Sequence, residues 1–307
     1  MNPSFQIRSD VRGAIAAGEP VVALESALIS HGLPHPQGIE VAQKMEAEVE
    51  ASGALPATIG IIAGKIVVGL TDDEIELLAT RSAVLKVSGR DIAAVVSAGG
   101  FGATTVAATA WVASRCGFPI MATGGIGGVH RGAEVSFDIS ADLTQLAAAP
   151  IGVVCAGAKA ILDLAKTLEL LETFGVPVVG YGTDEFPAFY SATSGLPLDH
   201  RVDSPDQAAR LIAAHRNLNL RSAVIFGNPV PAEDELPAAD VDAWIAVALT
   251  EATSQGVSGK AVTPFLLGRL AELSEGRTLE ANIALLLNNA ACAGKIAAAY
   301  YKLQRVR

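Results

Sequence analysis

The chain has 307 residues, half of them hydrophobic and 18% charged, which excludes a disordered polymer and is ample for a sizeable core. Three cysteines, an odd number, exclude a disulfide scaffold and predict a reducing, cytoplasmic setting. A formal net charge of −10 argues against nucleic acid as a partner, although a few local cations or a helix N-terminus still suffice to hold one phosphate.

Residues 1–10 lack the apolar run of a signal peptide, and no stretch of apolar residues free of Gly and charge predicts a membrane span. Residues 20–24 predict a strand and 37–51 a helix. The runs 58–63 and 66–70 flank Gly64-Lys65 and predict a hairpin. A short helix over 72–80 and a strand over 83–87 follow, then a helix over 103–115 and a strand over 119–123. Residues 151–155 are apolar without alternation, as in a strand buried on both faces, and 158–174 predict a helix. Strands are expected at 176–180 and 223–226, and helices at 205–215, 238–255, 264–273 and 279–301. The stretch 181–203 is rich in Gly, Pro, Ser and Thr but carries Phe186, Phe189 and Tyr190, so it predicts an ordered loop rather than a linker. The repeated strand–helix order implies an α/β fold, a three-layer α/β/α arrangement whose largely parallel sheet is mixed because of the hairpin. No internal repeat or linker interrupts it, so a single domain over 1–307 is expected.

Four segments carry candidate chemistry. Thr123-Gly124-Gly125-Ile126-Gly127-Gly128-Val129-His130-Arg131-Gly132 follows a predicted buried strand. Its glycines allow positive φ and an anion nest, with His130 and Arg131 adding positive charge; a compact turn without ligand is the alternative. In Phe137-Asp138-Ile139-Ser140-Ala141-Asp142-Leu143, Asp138 or Ser140 is a helix cap, or a carboxylate is a ligand for a hard cation such as Mg²⁺ or Mn²⁺. Lys159 follows the small residues Ala156-Gly157-Ala158 at the end of a strand and opens the predicted helix. It is either a solvated lysine or an amine nucleophile where α/β ligand sites open. Glu25 follows the apolar run 21–24 and is a candidate general acid or base, or it caps or pairs locally. Lys86 within Val84-Leu85-Lys86-Val87 is costly to bury unless it meets an anion, and Thr104 and Thr105 place hydroxyls near a helix start, as caps or as a phosphate site. Cys155 reads as a small buried residue, His31 is ambiguous, and His200 and His215 read as surface residues.

Taken in order, Ala23-Leu24-Glu25-Ser26, Gly102-Ala103-Thr104-Thr105-Val106, the segment 122–134, Asp138-Ile139-Ser140-Ala141-Asp142-Leu143, Val154-Cys155-Ala156-Gly157-Ala158-Lys159, Asn228-Pro229 and Asn288-Asn289-Ala290 resemble the pseudouridine-5′-phosphate glycosidase family, which includes the indigoidine synthase A-like proteins. The resemblance implies reversible cleavage of the C-glycosidic bond of pseudouridine 5′-phosphate to uracil and ribose 5-phosphate. It implies Lys159 as nucleophile, Glu25 as proton donor, Asp138 as the ligand of Mn²⁺ (or Mg²⁺), and Lys86, Val106, Ser140, Ala141 and Asp142 as substrate-binding positions, in a homotrimer. His130 is added from its own chemistry as a phosphate or uracil contact. Two positions depart from the family pattern: Phe101 stands where Asn is expected and Gly89 where a basic residue is frequent, both expected near the substrate pocket. Another Schiff-base lyase of aldolase type would share Lys159 without a uracil pocket, and a non-catalytic nucleotide-binding protein would tolerate its loss.

Overall fold

A computed structural model describes residues 4–257 and 259–305. In chain order the first half runs β1 (Phe5–Ile7), α1 (Ser9–Ala17), β2 (Val21–Leu24), α2 (Gln37–Ala51), β3 (Leu55–Ile62), β4 (Lys65–Val68), α3 (Asp72–Thr80), β5 (Val84–Val87), α4 (Ile92–Ser97), β6 (Phe101–Thr104), α5 (Val106–Arg115) and β7 (Ile120–Ala122). The second half runs β8 (Val129–His130), α6 (Ala133–Ser136), α7 (Ala141–Leu146), β9 (Gly152–Cys155), β10 (Leu162–Asp163), α8 (Leu164–Thr173), β11 (Val178–Tyr181), β12 (His200–Val202), α9 (Pro205–Asn217), β13 (Val224–Gly227), α10 (Ala238–Ser254), α11 (Val262–Leu273) and α12 (Arg277–Arg305).

Among the described residues eleven strands form one sheet in the order β1-β4-β3-β2-β7-β9-β13-β11-β12, with β6 on β3 and β5 on β6. All pairs are parallel except β3–β4 and β3–β6. Every residue of β2, β7, β9 and β13 is buried, which is why these runs show no alternation. On one face α12 lies along β2, β7 and β9 between α2 and α9; α5, carrying α7, packs on β2, β6 and β7. The expected three-layer, mixed sheet is therefore what forms. Helix α12 is long and apolar enough to cross a membrane by length and composition, but it is used here as a helix packed along the sheet.

The eight-residue β3 positions the site. Its first half pairs with β2, and its second half runs past the end of β2 to pair with β6 in the opposite sense. The carboxyl end of β6 therefore meets that of β2. The Ser26 hydroxyl donates to the Ile59 carbonyl at 2.6 Å and accepts from the Thr104 N–H at 2.9 Å, while the Thr104 hydroxyl donates to the same carbonyl at 2.6 Å. These hydroxyls close the seam where the strand ladder changes direction, and a cavity opens beside it.

Several expectations shift. Residues 103–104 end strand β6 rather than starting a helix: the Gly102 position abuts Val87 and Ile61, and the pairing of β6 with β5 and with β3 outweighs the local helical pattern. Residues 158–163 are not helical either. Gly157 turns the chain at φ +83°, Leu162–Asp163 pair with β8, and Asp163 caps α8 by accepting from the Lys166 N–H at 3.0 Å. Lys159 therefore sits on an ordered loop. His215 is buried rather than on the surface, within hydrogen-bond distance of the Ser222 hydroxyl at 3.3 Å, whereas His200 is exposed. Phe186, Phe189 and Tyr190 bury themselves and order the 181–203 stretch.

Candidate active site

A cavity of about 440 Å³ opens where the carboxyl ends of the strands converge. Glu25 follows β2, Ser88 follows β5, Thr105 follows β6, the 124–127 loop follows β7 and Lys159 follows β9; all line the cavity. So do Lys86, Val106, His130, Asp138, Ser140, Ala141 and Asp142, whereas Thr104 and Arg131 do not.

Glu25 is buried, and its carboxylate accepts a hydrogen bond from the Thr123 hydroxyl. Burial pushes its carboxyl above the usual carboxylate range, against the opposing pull of Lys159, the Thr123 bond and Lys86; Asp142 adds to the rise. Glu25 is thus held toward the protonated form, the state a proton donor needs. The Lys159 Nζ donates to the Gly125 carbonyl at 2.6 Å, and the backbone N–H of Lys159 donates to the Ile126 carbonyl at 3.1 Å. Cys155, directly before this turn, is fully buried with its thiol pushed up to about 12 by burial, so it packs rather than reacts.

The glycine run does not form the expected nest. None of Gly124, Gly125, Gly127 and Gly128 has positive φ, and the N–H groups of residues 126, 127, 129 and 130 are engaged within the protein. Ile126 donates to Gly157, Gly127 to the Asp142 carboxylate at 2.8 Å, Val129 to the Thr167 hydroxyl and His130 to the Asp138 carbonyl. These glycines are required by crowding: a Cβ at Gly127 would stand 2.2 Å from the Ser140 hydroxyl, and one at Gly128 2.3 Å from that of Thr167. Arg131 turns away from the cavity to Asp242 at 3.1 Å.

Asp142 links this loop to α5. Its second oxygen accepts from the Ala107 N–H at 2.9 Å, so it caps α5 from a distance while Ser140 caps α7. The cap position of α5 itself, Thr105, makes no side-chain cap, and its buried hydroxyl has no hydrogen-bond partner among the described residues. It lines the cavity, where a ligand oxygen would satisfy it. His130 is held below the ordinary imidazole range, chiefly by burial and further by Lys159 and Lys86, against the pull of Asp138, whose carboxylate lies 3.9 Å from Nδ1.

Among the described residues no group of three His, Cys, Asp or Glu side chains converges as a metal cage. The donor set is instead one partly exposed carboxylate, Asp138, facing open space, since both oxygens of Asp142 are used by backbone N–H groups. That set fits a hard cation that keeps most of its water.

Neither Phe101 nor Gly89 lines the cavity. Phe101 lies under the Arg81 guanidinium, 3.8 Å from the ring centroid, and a Cβ at Gly89 would meet the Gln145 amide at 2.8 Å. Gly89 nevertheless stands beside the pocket, between the lining residues Ser88 and Arg90. Sequence reasoning gave no role to Thr123, the partner of Glu25, or to Asn282 of α12, which reaches the cavity from the far end of the chain. Thr123 directly follows β7, and that position was its only local signal.

The family model described as "Indigoidine synthase A like protein" matches residues 10–299. The chain is 53% identical over 298 residues to the pseudouridine-5′-phosphate glycosidase of Methylobacterium nodulans, covering 97% of this chain and 88% of that one. It is 50% identical over 299 residues to the enzyme of the same name in Deinococcus radiodurans, covering 97% and 96%. Among solved structures it is similar to the prealnumycin C-glycosynthase AlnA in complex with ribulose 5-phosphate, with a TM-score of 0.92, 42% identity and full coverage of both chains. It is also similar to an indigoidine synthase A-like protein of Thermotoga maritima, with a TM-score of 0.88, 38% identity and coverage of 98% and 97%.

Proposed function

This chain belongs to the family of indigoidine synthase A-like proteins, and from that premise we propose that it cleaves the C1′–C5 bond of pseudouridine 5′-phosphate to uracil and ribose 5-phosphate. The observation that carries the reading is the meeting of a buried acid held toward its protonated form, Glu25, and an amine, Lys159, in one cavity. Its volume lies within the range of about 300–1,000 Å³ usual for small-ligand sites.

A C–C bond has no heteroatom leaving group to protonate, so the paired-carboxylate route to glycoside cleavage does not serve. In the proposed sequence the Lys159 amine attacks C1′ while Glu25 protonates the ring oxygen, and the C1′–O4′ bond breaks. The proton shed by the nitrogen returns to the Glu25 carboxylate. The nitrogen lone pair then forms a C1′ iminium as the C1′–C5 electrons pass to the base, whose C5 takes up a proton, releasing uracil. Water hydrolyses the iminium and frees Lys159 and ribose 5-phosphate. The Gly125 carbonyl holds the Lys159 nitrogen in place, and Thr123 fixes one oxygen of Glu25. Lys86, Ser140 and the start of α5 at Thr105 and Val106 are the proposed phosphate contacts, with His130 beside them.

The test is to incubate the protein with pseudouridine 5′-phosphate and Mn²⁺ and to follow uracil. Because phosphate binding supplies energy that positions C1′, kcat/KM for the unphosphorylated nucleoside is expected to fall by about 10²-fold or more. Equal values would remove the phosphate assignment, and absence of uracil would remove the reaction. The AlnA relative is named for making a C-glycosidic bond, which is the same chemistry run in reverse; the more similar curated relatives favour cleavage.

Asp138 is the proposed ligand for Mn²⁺ or Mg²⁺, which when bound supplies positive charge for the anionic substrate. Asp138→Ala is expected to fold normally and to lose the dependence of rate on added Mn²⁺. A wild-type rate unaffected by chelator would contradict the metal assignment. A cytoplasmic homotrimer completes the reading, and light scattering should return about three times the 31.4 kDa chain mass.

A further inference from the structure

We propose that Asn289 is a positioning residue for this reaction, setting through the Thr123-Gly124 peptide where Glu25 and Lys159 stand relative to each other. Asn289 is fully buried on α12, in a helix face otherwise made of Leu285, Leu286, Ala290 and Ala293. A buried amide is costly unless its hydrogen bonds are made, and packing alone would be served by an apolar residue. Its Nδ2 donates to the Thr123 carbonyl at 2.8 Å and to that of Gly124 at 3.3 Å. Its Oδ1 accepts from Asn228 Nδ2 at 2.9 Å. Asn228 is itself tied by its N–H to the Cys155 carbonyl at 2.8 Å, and the adjacent Asn288 donates to the Pro229 carbonyl at 3.0 Å. The Asn289 amide therefore links the end of β7 to that of β13, which the Asn228 backbone ties to the end of β9.

From that point two short routes lead into the cavity, which Asn289 itself does not line. Thr123 carries the hydroxyl that donates to Glu25. The Gly124 carbonyl also accepts from the Ala156 N–H at 2.8 Å, and the next carbonyl, that of Gly125, accepts from the Lys159 Nζ at 2.6 Å. The amide must face its NH₂ toward the two carbonyls and its oxygen toward Asn228, so its orientation is fixed from both sides. The charged groups facing Glu25 are Lys159, Asp142 and Lys86, and Asn289 bonds none of them. Loss of Asn289 would reach Glu25 through Thr123.

The proposal rests on the function given above, so its test carries one readout that needs no substrate. Asn289→Ala and Asn228→Ala are made in the full chain. The Glu25 carboxyl is titrated by carbon-13 NMR, assigned by the signal that vanishes in Glu25→Gln, and uracil release is measured across pH. Once Thr123 is loosened, the Glu25 titration and the matching limb of the rate profile are expected to move to higher pH in both variants, because a hydrogen bond to the ionised form is weakened. For Asn289→Ala kcat should fall by about 10²-fold with KM changed by less than about threefold, as expected of misplaced reacting groups. If Asn289→Ala does not fold, Asn228→Ala decides by the same shift. An unmoved Glu25 titration in the folded variants, or a rate loss that only tracks the folded fraction, would overturn the proposal. If the wild type releases no uracil, the functional reading fails, and the titration still decides whether Asn289 governs Glu25.

Discussion

Lys159→Ala is expected to abolish uracil release, a loss of at least about 10⁴-fold that corresponds to about 5.4 kcal/mol of transition-state stabilisation. The side chain donates to the Gly125 carbonyl at the cavity wall, so truncation removes one hydrogen bond and opens space that water can fill. The fold should persist, and so should ribose 5-phosphate binding, because the proposed phosphate contacts lie on other elements. Lys159→Arg should be equally inactive. It keeps the charge, but a guanidinium does not deprotonate to act as an amine nucleophile. Isothermal titration with ribose 5-phosphate, beside a uracil assay, separates lost chemistry from lost binding. Wild-type-like turnover in Lys159→Ala would leave no role for an amine and would overturn the covalent mechanism.

Glu25→Gln is expected to lower kcat by about 10²–10⁴-fold while leaving the protein at least as stable as wild type at neutral and alkaline pH. The amide is isosteric and can still accept from the Thr123 hydroxyl, but it has no proton to give. The stability sign follows from the direction of the shift. A carboxyl raised by burial favours the fold while it is protonated, and that contribution is lost as pH rises through its folded-state value, above the ordinary carboxylate range. Wild type should therefore lose stability relative to Glu25→Gln as pH climbs above the ordinary carboxylate range. Thermal melts of both proteins as pH rises check it. A variant that grows less stable than wild type with rising pH would mean that Glu25 is held ionised, as a partner for Lys159 rather than as a proton donor.

Much of the fold was legible because local and tertiary preferences agreed. Helix α3 begins where Thr71 and Glu74 form a reciprocal capping box, and the buried strands β2 and β9 announce themselves as unbroken apolar runs. The reading failed where tertiary pairing prevailed. Residues 101–104 are drawn into the sheet between β5 and β3, and 162–163 pair with β8, so two predicted helices start late. The site was legible as a set of positions, because Glu25, Lys86 and Lys159 are polar residues beside or inside apolar runs. What the glycines do there was not legible. Composition suggested a flexible anion nest, whereas the structure uses them to bring the loop against Ser140 and Thr167. Nor could spacing reveal Asn289, whose partners Thr123 and Gly124 are about 165 residues away in sequence.

The central claim is a covalent bond between Lys159 and the sugar, and trapping it is the most direct measurement. Borohydride added during turnover of pseudouridine 5′-phosphate, followed by peptide mass mapping, should place one reduced ribose phosphate on the peptide containing Lys159 and none in Lys159→Arg. Sustained uracil release with no adduct on Lys159, or an adduct on Lys86 or Lys166 instead, would contradict the account.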